Sequence, residues 1–394
     1  MKKTRRKKAK KPFGPRLRRA QSNRSGRGQK NQLETFANIK VVGIGGAGGN
    51  IISRMNRSQM KGVEFIAVNT DIQDLHKTGI RQKIHIGKNI SKGLGAGMNP
   101  EIGRQAAEET RGPIQEAIKG AEMVFLAAGL GGGTGSGSIP IIAELSKESG
   151  ALTIAVVTKP FFFEGSRRSQ IAEEALAKLK DKVDAYIVVP NDRIFNIIDQ
   201  DTPLYQAFEA IDEILKSAVK GVAELINVPG IINVDFSDIK TVLQDAGLAL
   251  IGIGKAVGEE RAVSAVRSAV GSPLIEISPH GARGVLFSVI GNDLKMAEIN
   301  EAAKLVSEMV DPSAKIIFGA MEDHRLKKGE IKIMVIAAGF NGLVKYNAES
   351  KQQLFTSDKL AIKRIETIAS PEAPSKTSSP DSLEVPAFLR KKKK

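Results

Sequence analysis

Between residues 123 and 145 the chain passes from an unbroken apolar run, Met123-Val124-Phe125-Leu126-Ala127-Ala128, through Gly129-Leu130-Gly131-Gly132-Gly133-Thr134-Gly135-Ser136-Gly137, into an apolar helical pattern. Glycines at six of those nine loop positions let the backbone turn its N–H groups inward and come close to an anion. The helix that follows offers the positive end of its dipole to the same charge. A flexible linker is the plainer explanation, but linkers join polar stretches, and here a strand-like run and a helix face flank the loop. The order of strand, glycine loop and helix points to a phosphate cradle.

The layout recurs. Gly43-Ile44-Gly45-Gly46-Ala47-Gly48-Gly49-Asn50 ends one apolar run and opens a helical pattern with Ile51, Ile52 and Met55. It matches the dinucleotide fingerprint G-x-G-x-x-G, and Glu64 lies near the position of that fingerprint's acidic residue. A nicotinamide-dependent oxidoreductase is therefore one reading, but it needs one such cluster only. A third, Gly93-Leu94-Gly95-Ala96-Gly97-Met98-Asn99-Pro100, again precedes a helix. Three glycine loops, expected at strand-to-helix turns, suit a triphosphate better than a pyrophosphate. Nothing matches G-x-x-x-x-G-K-S/T, which excludes the P-loop class.

Short apolar runs at 39–44, 65–68, 123–128, 152–157 and 186–189 alternate with helical patterns. Such alternation predicts an α/β fold, a parallel sheet covered by helices on both faces. Asn99-Pro100 and Thr202-Pro203 each set a capping side chain before a proline suited to the first helical turn. After the second, Leu204, Phe208, Ile211, Leu215, Val219, Val222 and Ile226 recur at three- and four-residue spacing and predict a long central helix of roughly 25 residues, ended by Val228-Pro229-Gly230. A further helical stretch and β-like runs at 285–290, 315–318 and 331–338 read as a second, smaller α/β domain. The division expected is a nucleotide-binding domain at 34–201, the central helix at 202–228 and the smaller domain at 229–345.

The net charge of +16 would ordinarily suggest nucleic acid or an anionic membrane, but its placement decides. Residues 1–33 hold seven lysines, seven arginines and no acid, and residues 390–394 add five more cations, leaving 40 basic against 43 acidic residues between. Basicity thus belongs to two tails, and the body has no electrostatic case for a DNA-binding surface. The amino-terminal tail reads as disordered; a solvated tail, a tether to anionic membrane or nucleic acid, and a targeting peptide stay open for it. Residues 346–380 have linker composition, and within the polar 381–390 segment an apolar island, Val385-Pro386-Ala387-Phe388-Leu389-Arg390, fits a partner-docking peptide or a fold-back onto the body. Residues 391–394 are a basic end. No run approaches the roughly 18 to 20 apolar residues that span a bilayer, and the amino-terminal stretch holds no apolar signal-peptide core, so a cytoplasmic protein is expected. Zero cysteines exclude disulfides, thiol catalysis and thiolate metal sites. His76, His85, His280 and His324 show no metal-ligand spacing, and no metal-binding residue is assigned.

Gly131-Gly132-Gly133-Thr134-Gly135-Ser136-Gly137 resembles the GGGTGTG signature of the tubulin/FtsZ family of GTPases. Residues 43–50, 67–71, 92–100, 157–161, 190–192 and 233–238 are similar to its FtsZ branch, the bacterial cell-division proteins, and the likeness runs from about residue 39 to 341, with 385–390 similar to the branch's carboxyl-terminal partner peptide. The resemblance implies a GTPase that binds GTP or GDP with Mg²⁺, polymerises head to tail with copies of itself, concentrates at the division site as a contractile ring, and docks membrane-tethering division proteins through residues 385–390. It implies that Gly46, Ala47, Gly48, Gly49 and Asn50, with Gly133, Thr134 and Gly135, hold the phosphates, and that Ala96 and Gly97 lie near the γ-phosphate. Glu164 and Arg168 would reach the ribose and phosphate side, though both also read as surface charges at a helix start. Asn191 and Asp212 would contact guanine, and Phe208, otherwise a core residue by its spacing, would stack on the base. Asp212 is chemically apt, since a carboxylate accepts from both guanine N1–H and the amino group.

Asp235 and Asp238, beside Asn233, are the acids the resemblance makes catalytic: in such proteins this loop enters the nucleotide site of the next subunit and orients the attacking water. On the residues alone, Asp235 or Ser237 would cap a helix beginning near Ile239. Two positions depart from the family pattern. Ser136 replaces a threonine, a mild change, and Ser237 replaces a common alanine between the two acids, which bears on turnover rate. A filament protein of the same fold that binds GTP and scarcely hydrolyses it is the alternative that Ser237 leaves open.

Overall fold

The computed structural model describes residues 37–58, 60–199, 201–271 and 281–340. The readings for residues 1–33, 346–380, 381–390 and 391–394, and for His280, lie outside the described residues. In chain order the elements are β1 (Ile39–Ile44), α1 (Gly45–Asn56), β2 (Val63–Asn69), α2 (Ile72–Lys77), β3 (Gln82–His85), α3 (Lys88–Ser91), α4 (Pro100–Glu109), α5 (Arg111–Ile118), β4 (Met123–Gly129), α6 (Gly133–Glu148), β5 (Leu152–Lys159), α7 (Ser166–Leu179), β6 (Ala185–Pro190), α8 (Leu204–Asn227), α9 (Phe236–Leu243), β7 (Gly247–Val257), α10 (Arg261–Val270), β8 (Gly284–Gly291), α11 (Met296–Met309), β9 (Lys315–Glu322) and β10 (Glu330–Ala338).

The strands join in the order β3-β2-β1-β4-β5-β6-β7-β10-β8-β9. From β3 to β6 all neighbours run parallel, and every residue of β1 is buried, as strands covered on both faces require. One face packs on α4, α5, α6 and α7 through Ile114, Ile118, Ile139, Ile142 and Leu179. The other packs on α8. Only Ala185 and Tyr186 of β6 pair with β7, which then leaves to run antiparallel to β10 along its whole remaining length. The second sheet is mixed, with β8 antiparallel to β10 and parallel to β9, and its far face carries α10 and α11.

The 24 residues of α8 make a rod of about 36 Å that both sheets share. Ile211, Leu215, Val219 and Val222 sit in one core with Met123 and Phe125 of the parallel sheet and with Leu286, Met334 and Ile336 of the mixed one. The predicted stripe is therefore buried along most of the helix, but Leu204 and Phe208 at its start are exposed. Asn99 caps α4 as expected, its Oδ1 accepting from the Glu101 N–H at 3.0 Å, with Pro100 in the first turn. Thr202 does not cap α8, which begins two residues later behind Pro203.

Two strands were absent from the sequence reading. β3 is short and half-exposed. β7 carries Gly252 and Gly254 within its apolar run, which dilutes the strand pattern. The glycine at 254 is needed because α10 crosses so close that a Cβ would meet the Ala265 carbonyl. The third glycine loop also sits elsewhere than expected, between α3 and α4, with no strand directly before it.

Candidate functional site

The three glycine loops converge at the carboxyl ends of β1 and β4, the side of a parallel sheet where ligands bind. α1 follows β1 without a connecting residue, so its opening glycine must turn the chain at once. Gly45 has φ +71°, and a Cβ there would lie 3.2 Å from the Gly135 amide nitrogen, so the first and second loops are in backbone contact. The second and third loops touch as well. The Gly133 N–H donates to the Gly97 carbonyl at 2.8 Å, and a Cβ on Gly133 would lie 2.5 Å from that oxygen and 2.7 Å from that of Ala96. The hydroxyls of Thr70 and Thr134 meet at 2.6 Å. Ser136 Oγ accepts from the Gly131 N–H at 2.9 Å and so ties the loop to the helix it opens.

These contacts sort the expected phosphate residues by what they face. Gly46 and Ala47 lie in the first turn of α1, and Thr134 and Gly135 in the first turn of α6, where helix geometry leaves N–H groups without an intrahelical acceptor. Ala47 and Asn50 are exposed on the site's side of α1. Gly48 and Gly49 are buried beneath it, and a side chain on Gly48 would strike the Ala127 carbonyl. Gly133 has its own N–H engaged by Gly97. Gly48, Gly49 and Gly133 thus bring elements together, while Gly46, Ala47, Thr134 and Gly135 present first-turn N–H groups and Asn50 an exposed side chain.

On the flank, Glu164 and Arg168 form an ion pair, and Glu164 Oε1 accepts from the Phe161 N–H at 2.9 Å. Arg168 lies beside Gly131, whose φ of +102° only glycine adopts readily. The base-side residues gather where α8 begins. Asn191 is 7% exposed, and its Oδ1 is buried without a hydrogen-bond partner. Phe208 is 39% exposed and meets the buried Phe161 edge to face at 5.4 Å. Asp212 is ion-paired with Arg54 at 2.7 Å, and burial, opposed by Arg54, pushes its carboxyl up to about 6. An orphaned buried acceptor, a half-open aromatic and a buried carboxylate fit a base that donates hydrogen bonds.

Asp235 and Asp238 lie at the other end of the molecule. From Phe208 to Asn227 α8 carries the chain roughly 28 Å. There Asn227 Nδ2 donates to the carbonyl of Lys61 at 3.3 Å and to that of Ala37 at 3.5 Å, just ahead of the amino ends of β2 and β1. After the acids, the Gly247 N–H bonds to the Asp184 carbonyl at 2.9 Å, ahead of the amino end of β6. The segment between is held to β9 by the Ile232–Ala320 bridge. Asp235 occupies the N-cap position of α9 but makes no capping bond, contrary to the reading from the residues alone. Both carboxylates are exposed and have no hydrogen-bond or ion-pair partner among the described residues.

Residues 38–199 match the model of the tubulin/FtsZ family GTPase domain, and residues 247–341 that of the FtsZ family carboxyl-terminal domain. A solved structure titled FtsZ dimer from M. jannaschii is 46% identical, covers 78% of this chain and 89% of its own, and superposes with a TM-score of 0.74. The chain belongs to the FtsZ family. A point mutant of M. jannaschii FtsZ gives 45% identity over 79% of this chain and 94% of that one, with a TM-score of 0.75. CetZ2 from Haloferax volcanii, solved as a GTPγS-bound protofilament, shares the fold at 23% identity, over 84% of this chain and 99% of that one, with a TM-score of 0.69. As an FtsZ-family GTPase, the chain binds guanine nucleotide and hydrolyses GTP. The nicotinamide reading falls with this, and Glu64 agrees: it pairs with Lys40 at 3.5 Å near the amino ends of β2 and β1, away from the glycine loops.

Two residues of the candidate site carry no signal in the sequence that singles them out. Thr70, which holds Thr134, lies in a stretch that carried the resemblance but was assigned no role. Arg54 follows Asn50 by one helical turn, a spacing that puts both on one face of α1, yet its partner is 158 positions further along the chain.

Proposed function

We propose that this FtsZ-family GTPase polymerises head to tail and hydrolyses GTP at a site completed by the next subunit. The observation that carries the reading is the separation of the glycine loops from Asp235 and Asp238, at opposite ends of one chain, with both acids exposed and unpartnered among the described residues. A contact joining one end to the other is heterologous and extends into a filament. The M. jannaschii relative, solved as a dimer, supports self-association.

In this mechanism Gly46, Ala47, Asn50, Thr134 and Gly135 bind the phosphates, with Ala96 and Gly97 at the γ-phosphate and Glu164 and Arg168 on the ribose side. Gly48, Gly49 and Gly133 hold the loops at the spacing those donors need. Asn191 and Asp212 accept from guanine, and Phe208 packs on its ring. Mg²⁺, when bound, neutralises phosphate charge. The incoming Asp235 and Asp238 accept hydrogen bonds from a water and aim it at the γ-phosphorus. Its oxygen bonds to phosphorus as the bond to the β-bridging oxygen breaks, releasing phosphate and leaving GDP. Residues 34–201 serve as the binding unit, 202–228 as the connecting rod and 229–345 as the activating unit.

We further propose that the polymer works in the cytoplasm, as the ring at the division site, with residues 385–390 docking membrane-tethering division proteins. The apolar composition of that peptide within a polar stretch supports this. Among the described residues no helix is long and apolar enough to cross a membrane, which agrees with attachment through a partner. The basic residues 1–33 would add an anionic-membrane or nucleic-acid contact, read out by salt-dependent liposome binding of a chain lacking residues 2–30.

The test is GTP turnover and sedimentation across protein concentration, for the wild type and Asp238→Asn. Specific activity is expected to rise above a threshold concentration, and the variant to bind GTP while losing hydrolysis. Turnover independent of concentration, or an active Asp238→Asn chain, sinks the shared site.

A further inference from the structure

Asp212 does not stand alone at the base site. Arg54 Nη1 lies 2.7 Å from its Oδ2 as an ion pair, with Nη1 buried and outside hydrogen-bond geometry, and neither Asp212 oxygen has a hydrogen-bond partner among the described residues. The Tyr205 ring sits 5.3 Å from the Arg54 guanidinium carbon, a cation–π contact that helps hold the cation. The side chains of Arg54 and Asp212 are only 25% and 13% exposed, so solvent screens the pair weakly.

The protonation state of this carboxyl decides which purine it fits. Ionised, it is acceptor-only and takes both N1–H and the amino group of guanine. Protonated, it has one O–H donor and one acceptor, which fits adenine's N1 acceptor and amino donor. We propose that Arg54 is a specificity-determining positioning residue, whose guanidinium keeps the Asp212 carboxyl ionised and aimed and so sets guanine over adenine. The inference rests on the reading of Asp212 as a base contact.

The surroundings make such a residue necessary. Burial pushes Asp212 upward and Glu209, three residues before it on α8, pushes the same way, and Arg54 opposes them. Lys216, one turn on, is engaged by Glu213 at 2.8 Å. The turn Asn191–Asn196, packed on α8, brings Asp192, which accepts from the Phe162 N–H, and Arg193. A carboxyl held at about 6 is mostly ionised at neutral pH; with Arg54 removed it titrates higher and is substantially protonated there.

The experiment compares binding of fluorescent GTP and ATP analogues from about pH 5.5 to 8.5, a range spanning the carboxyl's titration, for the full chain and three variants. In the wild type the GTP preference should hold above neutrality and fall as pH drops through about 6. In Arg54→Met that fall should move up by about one pH unit or more, lowering the GTP-to-ATP affinity ratio roughly tenfold at pH 7. Arg54→Lys should restore the wild-type profile, and Asp212→Asn should remove both the preference and its pH dependence. An Arg54→Met chain that loses affinity equally for both nucleotides, with an unmoved midpoint, overturns the proposal and leaves Arg54 a packing residue. An Asp212→Asn chain that keeps its GTP preference overturns the underlying base-site reading as well.

Discussion

At the carboxyl ends of the parallel strands the site is made of backbone: Gly45 against Gly135, Gly133 against Gly97, loops packed so tightly that side chains are excluded. At the amino ends, residues 228–238 offer the reverse, exposed carboxylates on a short helix start with nothing bonded to them among the described residues. The first arrangement is complete in itself, since its donors are fixed by chain geometry before any ligand arrives. The second leaves charge in water and has chemical use only when something is brought to it. Under the proposed mechanism, a molecule built this way holds bound substrate at one end and the means to consume it at the other.

The most severe challenge to that contrast is to mix two inactive chains. Asp238→Asn removes an acid, and Asn191→Leu removes the orphaned acceptor of the base site, so the second variant should fold at least as stably as its parent while binding GTP weakly. Each alone should lose hydrolysis on the order of a hundredfold, at a GTP concentration that saturates the wild type and Asp238→Asn but not Asn191→Leu. Mixed in equal amounts they should recover up to about a quarter of wild-type turnover, because random head-to-tail contacts join an intact nucleotide side to an intact acid in that proportion. No recovery breaks the division of labour.

Stability sharpens the comparison with a smaller effect. Gly48→Ala drives a Cβ into the Ala127 carbonyl and should cost about 2 to 3 kcal/mol in urea denaturation, whereas Asp235→Ala, which breaks no bond, should stay within about 0.5 kcal/mol. Equal losses at the two ends remove the distinction between a packed and an open half. The smallest effect concerns the family departure at 136. Ser136→Ala forfeits the bond from Gly131 and should cost about 1 kcal/mol, while Ser136→Thr, which keeps it, should change stability by less than half of that.

Much was legible in the chain itself. The parallel strands and α8 announced themselves because burial on both faces, or along one stripe, demands apolar residues at fixed spacing, and the glycine loops because close backbone approach tolerates no other side chain. β7 was hidden because Gly254, which lets α10 approach, and Gly252 together dilute the strand pattern. Sequence could not separate Gly46 and Ala47, which present donors, from Gly48 and Gly49, which pack inward, since the glycine signal is the same for both tasks. Nor could it pair Arg54 with Asp212 or Thr70 with Thr134, because ion pairs and hydroxyl contacts between distant elements leave no periodicity behind. The residue types and their local spacing were determined by the sequence alone. Only the tertiary structure set the nucleotide loops and the acids at opposite ends, because that depends on how a rod of fixed length lies across a sheet.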